Sequence, residues 1–284
     1  MKKSLLLIAT GLLLAVSPAH AQLGLGLVPM RIELKMNPGQ QYSGALKLSS
    51  ESGTKTRIRA DVLDFDVDAT ATPQFERNLP QEAATSCKKW LSLNPMEIEI
   101  DKGGFLNVRY TLNLPAGLPE GSYNCAAGFT TLPSAEEQAS GMGMRMAVRI
   151  VAAIYVVVGN THVSGSLKEI KLDRLPASPE APEAATWQAV VVMENTGQMY
   201  YRPTGTLEVL DAQGKTVETA EIPSLPVLRE RSQRFLFPLK THLETGQYKL
   251  RALVDIGTGE IQEGVVNVAA EQPAGTPVAQ RTSH

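Results

Sequence analysis

The sequence is poor in the residues that build compact chemical sites. Cysteine occurs twice, tryptophan twice and histidine four times, and aromatic residues make up 5% of 284. Two cysteines exclude a zinc-ribbon scaffold and a disulfide-dense miniature fold. His20 lies in an N-terminal leader and His284 is the last residue; His162 and His242 have no neighbour at metal-ligand spacing. Positive charge is not in excess: 27 Lys and Arg face 29 Asp and Glu, a formal charge of −2, so binding nucleic acid by charge is excluded. No G-x-S-x-G, H-E-x-x-H or P-loop pattern occurs. Asp64-Phe65-Asp66-Val67-Asp68 begins like a calcium loop but lacks the glycine at the sixth position and the glutamate at the twelfth, and reads as a strand end. The expectation is a protein that is not an enzyme, with no catalytic residues, no metal and no cofactor.

Long apolar runs are also scarce. Lys2 and Lys3 precede an apolar stretch from Leu5 to Val16, and Ala19-His20-Ala21 supplies small residues around a cleavage site. This is the three-part layout of a secretory signal peptide over residues 1–21, too short for a comfortable membrane span of about 20 apolar residues. Its removal leaves 25 basic against 29 acidic residues, or −4. The longest later run, Ile150–Gly159, is half the length needed to span, so the mature chain is expected to be exported, without a membrane span. In a two-membrane bacterium that means the periplasm. An oxidising compartment makes a Cys87–Cys125 disulfide the default, closing a loop of about 40 residues worth about 3–4 kcal/mol on the chain-entropy argument.

What the sequence has in quantity is period-2 alternation between turn signals. In Arg57–Phe65, Ile58, Ala60 and Val62 share one side while Arg57, Arg59 and Asp61 share the other. Strands are expected at Pro29–Leu34, Tyr42–Leu48, Arg57–Phe65, within Trp90–Ile100, at Phe105–Leu114, at Tyr123–Leu132 and over Met142–Val158. Ala69–Pro80 reads as loop. About seven strands with turns about every 8–12 residues fit an immunoglobulin-like sandwich. Tyr123 follows a turn ending in Gly121 and precedes Cys125 by two, the position of a tyrosine corner, whose hydroxyl bonds back to the backbone. Near Gly159-Asn160 the pattern restarts. Trp187, Ala189, Val191 and Met193 share a strand face, as do Tyr248, Leu250, Ala252 and Val254. Trp187, Tyr200 and Tyr201 are aromatic enough for a groove, but core and turn packing come first. The expected fold is all-β, two tandem immunoglobulin-like β-sandwich domains over residues 22–160 and 161–268, with a disordered tail at 269–284.

Several residues of the first half carry a likeness: Arg31 in Pro29-Met30-Arg31-Ile32-Glu33-Leu34, Trp90 and Pro95, Val108-Arg109, Leu114-Pro115, and Leu118-Pro119-x-Gly121-x-Tyr123, then a polar loop and a long apolar strand. From about Pro29 to Gly159 the chain resembles the PapD-like periplasmic chaperones of pilus assembly, and two tandem sandwiches behind an export signal match that family's layout. The resemblance implies a chaperone that binds pilin-like subunits by completing their sheet with a lent strand, and delivers them to an outer-membrane usher. A lent strand needs apolar side chains at alternate positions, which Met142, Met144, Met146, Val148 and Ile150 supply. From Met146 to Ile150 the same row equally suits the protein's own core. Val151–Val158 is apolar on both faces, which calls for cover on both. The resemblance further implies a client-carboxylate anchor at Arg31. Where the family has a lysine on the last strand this chain reads Val151-Ala152-Ala153-Ile154, so Arg149 or Arg145 is expected to substitute as the second cation, because guanidinium grips carboxylate in a bidentate fork. The alternative function is an exported structural or adhesive surface protein that keeps the same strand buried.

Overall fold

The computed structural model describes residues 24–68, 72–76, 84–133, 147–175 and 186–271. The expected leader, the methionines at 142, 144 and 146, Arg145, and residues 272–284 of the expected 269–284 tail lie outside them; Ala269 and Ala270, expected in that tail, end the last strand instead, where Ala270 is buried. The fold is all-β, as the alternation requires, with one 3-10 turn among the described residues, at Lys88–Trp90.

The first sandwich packs two sheets. One has β1 (Leu25–Val28), β3 (Gln41–Ser50), β8 (Phe105–Asn113) and β6 (Leu91–Asn94) side by side. The other runs β2 (Arg31–Met36), β10 (Arg149–Val158), β9 (Gly121–Leu132), β4 (Thr56–Val67) and β5 (Pro73–Glu76), with β7 (Glu97–Ile100) also paired to β4. Between them Leu46, Leu48, Ile58, Val108, Leu112 and Phe129 are buried without residual exposure or nearly so, at the alternate positions a sandwich core needs. The Cys87–Cys125 disulfide forms inside this core, and the Tyr123 hydroxyl donates to the Pro119 carbonyl at 2.8 Å, the expected tyrosine corner.

Three features differ from the sequence reading. The first strand begins earlier, at Leu25, and the chain changes sheets at the cis Val28–Pro29 bond: β1 pairs with β3, β2 with β10. Part of the expected 69–80 loop is strand, because Phe75 of β5 stacks on Phe65 with ring centroids 4.8 Å apart. The long strand expected from Met142 starts at Arg149, with Ala147 and Val148 outside it.

The second sandwich packs β11 (Gly165–Leu175), β12 (Thr186–Asn195) and β15 (Ser232–Pro238) against β14 (Thr216–Glu221), β13 (Thr204–Leu210), β16 (Gly246–Asp255) and β17 (Ile261–Ala270). Trp187, Ala189, Val191 and Met193 point into its core together, and Tyr201 joins them.

A third apolar cluster joins the two sandwiches, and it answers the two-faced apolarity of β10. Ala152, Ile154, Val156 and Val158 face the first core. The alternate residues Tyr155 and Val157 face outward, where Tyr200 and Leu228 of the second sandwich cover them with Leu63 and Phe65. Backbone bonds tie the contact: the Ser122 amide donates to the Gln198 carbonyl at 2.7 Å, and the Ser122 hydroxyl accepts from the Tyr200 amide at 2.9 Å. Gly121, at φ +148°, lets the chain lie this close, since a Cβ there would stand 3.3 Å from the Gln198 carbonyl oxygen and crowd the Arg229 guanidinium.

Candidate protein-binding edge

Among the described residues, strand β10 is paired on both sides for only part of its length. Towards β9 the ladder runs from Arg149 opposite Thr130 to Val158 opposite Gly121. Towards β2 the parallel ladder starts only at Ala153 opposite Arg31. The hydrogen bonds fix which residues face which side. Val148 accepts from the Thr131 amide at 2.9 Å, so 148, 150 and 152 bond towards β9. Ala153 donates to the Met30 carbonyl at 3.0 Å, so 149 and 151 present their N–H and C=O to the other side. Among the described residues no strand pairs with Arg149 or Val151 there. Such an unpaired stretch is a template for another strand. Two exposed apolar side chains, Val28 and Met30, stand beside the cis bond where the chain leaves this edge.

Val148 and Ile150 are half-buried, and Ile150 packs on the first core. They share the inward row of Ala152, Ile154 and Val156. The rest of the expected client row, Met142, Met144 and Met146, lies outside the described residues. Arg149 is exposed and its Nε donates to the Thr130 hydroxyl at 3.1 Å.

Arg31 opens β2 on the outward face, where partners in a parallel pair share a side: Arg31 with Ala153, and Glu33 with Tyr155. Its Nε lies 3.4 Å from Glu33 Oε1, and its side chain is 55% exposed. Arg149 is four residues up the strand from Ala153, about 13 Å at the usual rise, so the two arginines expected to share a carboxylate are not brought together. A different cation is. Arg202 of the second sandwich places its own Nε 3.4 Å from the same Glu33 oxygen. It is held from behind by the Ser224 carbonyl, which accepts from Nη1 at 2.9 Å, and by the Tyr155 ring, 4.9 Å from its guanidinium carbon. The Tyr200 ring packs on Tyr155, tilted by 34°, with centroids 4.8 Å apart. Burial pushes both phenols up in pKa; at Tyr155 the Arg202 charge opposes the shift, and at Tyr200 the Glu33 charge adds to it.

Sequence reasoning missed Glu33, Tyr155 and Arg202 as parts of this site. Glu33 was legible as the second residue on the outward face of the Arg31 strand. Arg202 had no local signal, being 169 residues away in the chain. The aspartates of 64–68 turn out to be structural. Asp64 is buried against the Ser86 hydroxyl (2.6 Å) and Lys88 Nζ (3.1 Å), and Asp66 pairs with Arg231 across the domains at 3.3 Å. Trp187, Tyr200 and Tyr201 are all buried rather than lining a groove.

No protein-family profile matches the chain, and no curated protein does. Solved structures do, and the family suggested by the sequence motifs is among them. The class 5 fimbriae chaperone CfaA aligns over 88% of this chain and 100% of its own, at 11% identity and a TM-score of 0.44. A complex of Salmonella enterica SafA pilin with the SafB chaperone matches over 87% of this chain and 97% of the matched one, at 10% identity and a TM-score of 0.42. A PapD-like domain of human CEP192 matches over 55% of this chain and all of its own, at 14% identity and a TM-score of 0.31. Likeness at this level carries no argument about activity. Among the described residues no helix is long and apolar enough to cross a membrane.

Proposed function

We propose that this chain is an exported chaperone that binds pilin-like subunits and completes their sheet with the open edge of β10, holding them in the periplasm for delivery to an outer-membrane usher. The observation that supports the reading is the stretch at Arg149–Val151, which has no partner on that side among the described residues and ends where Arg31 stands on the neighbouring strand. A client strand laid on that edge gains backbone hydrogen bonds from residues 149 and 151, and alternate side chains give it a register. Val148 and Ile150, with Met142, Met144 and Met146 upstream in the same parity, form the client-facing row, and methionine's unbranched chain suits varied partners. At the lower end Arg31 receives the client's terminal carboxylate, because guanidinium grips carboxylate through paired N–H donors.

A purified pilin-like subunit lacking its own final strand, refolded with this chain, tests the reading. A soluble one-to-one complex is expected, and aggregation of the subunit whether or not the chain is present refutes it. A second reading, a structural or adhesive surface module, draws on the packing of Ile150 against the protein's own core. It predicts no complex.

A further inference from the structure

The carboxylate end of the proposed site is already filled. One carboxylate oxygen of Glu33 lies 3.4 Å from the Nε of both Arg31 and Arg202, so two guanidinium groups from different sandwiches converge on a single negative charge. The two arginines are held differently. Arg202 is 17% exposed and is held by the Ser224 carbonyl and the Tyr155 ring as well as by Glu33. Arg31 and Glu33 are 55% and 43% exposed, on β2, which pairs with β10 from Ala153 onward, next to the Arg149–Val151 stretch that has no described partner on that side, so both side chains reach solvent. The triad carries one more positive than negative charge and faces the end of a strand template.

We propose that Arg202 is the second cation of this carboxylate site, and that Glu33 is its resident occupant, displaced when a strand bearing a free C-terminal carboxylate lies along β10. The inference rests on the reading of β10 as a client edge with Arg31 at its end. An incoming carboxylate that replaces Glu33 meets guanidinium donors from both sandwiches, so the chain end is read at the domain junction and not by the first sandwich alone. Glu33 then sets specificity: internal strands and amidated ends gain nothing from its departure, whereas a free carboxylate takes over its two ion pairs. Exchange of one carboxylate for another is screened by salt, unlike the backbone pairing beside it.

The experiment uses the full mature chain and two synthetic peptides of alternating valine and threonine, identical but for a free acid or an amide at the C-terminus. Affinities are measured for the native chain and for Glu33→Gln, which keeps size and hydrogen bonding but removes the competing charge. Glu33→Gln is expected to tighten the free-acid peptide about five-fold, the scale on which partly exposed ion pairs act, and to leave the amide within about two-fold. Arg202→Gln is expected to weaken the free acid selectively, with the amide reporting any general loosening of the fold. Unchanged or weaker free-acid binding by Glu33→Gln overturns the inference, as does an equal gain for both peptides. If the native chain binds both peptides equally and Arg31→Gln changes neither, the anchor reading of Arg31 fails. If neither peptide binds the native chain or Glu33→Gln, both fail.

Discussion

Replacing Arg149 by proline separates what β10 does for its own fold from what it offers a partner. The Arg149 N–H points away from β9, since the Val148 and Ala153 bonds fix the alternation, and no described strand receives it. Proline at the first residue of a strand, with its missing donor on an open side, is a tolerated placement. The fold therefore loses only the side-chain bond to Thr130, and its stability is expected to change by less than about 1 kcal/mol. A client loses one backbone hydrogen bond, worth about 1 kcal/mol net. The ring also crowds the carbonyl that would have accepted that bond, so a total of about 2 kcal/mol is reasonable, or roughly 30-fold in affinity. Arg149→Ala is the control for the lost guanidinium and is expected to bind within about three-fold of the native chain. Ile150→Pro is the opposite case. Its N–H faces Phe129 in the ladder, and the Phe129 carbonyl is buried, so about 1–3 kcal/mol of stability is expected to go. Urea unfolding followed by tryptophan fluorescence gives the stabilities, and titration with a strand-deficient subunit gives the affinities. If Arg149→Pro binds as tightly as Arg149→Ala, or unfolds the protein as readily as Ile150→Pro, the open edge is not what a client uses.

Gly121→Ala is expected to cost about 1–3 kcal/mol, from the positive φ and the 3.3 Å approach to the Gln198 carbonyl, and to loosen the contact between sandwiches; urea unfolding and small-angle scattering read the two effects. Reducing the Cys87–Cys125 disulfide, which spans 38 residues, is expected to cost the first sandwich about 4 kcal/mol by urea titration with and without reductant. Burial, followed by its neighbour Tyr42, pushes the Tyr110 phenol up to about 12, and burial raises Tyr155, Tyr200 and Tyr201 as well. A folded pKa above the unfolded one gives stability that is full below about pH 10 and lost as pH rises through the folded value. Alkaline titration of phenolate absorbance should therefore show late-ionising tyrosines whose ionisation coincides with unfolding; ionisation of every tyrosine near pH 10 in the folded protein contradicts this.

The sequence was most informative where one residue's neighbours decide its place. Alternation in Trp187–Met193 named a buried face, and in Arg57–Phe65 it named one of two: Ile58, Ala60 and Val62 pack on the first core, while Leu63 and Phe65, on the side of Arg57, are buried against the second sandwich. Spacing alone located the tyrosine corner, since Tyr123 reaches back only four residues. Export logic located the disulfide. Strand ends were less legible. Leu25–Val28 and Pro73–Glu76 are short, and each exists because of a distant partner, β3 in one case and the Phe65 ring in the other. The site was half legible. Apolarity on both faces of Val151–Val158 implied a cover, but only the folded chain shows that Tyr200 and Leu228 provide it. Arg31 was visible as a strand charge, and its companion was sought on β10 itself, where Arg149 stands too far up the strand. Arg202 reaches Glu33 only because the two sandwiches meet at Tyr155, a contact that no local pattern encodes.

The most direct measurement is residue-resolved amide hydrogen exchange on β10, with and without a strand-deficient pilin-like subunit. Without the subunit, the amides of Arg149 and Val151 should exchange fast while those of Ile150 and Ala152, bonded to β9, are protected. With it, protection should appear at Arg149 and Val151 and stop at Ala153, which is already paired to Met30. Protection of Arg149 and Val151 in the isolated chain, or their continued fast exchange in a bound one, would contradict the proposal that this edge is lent to another protein's sheet.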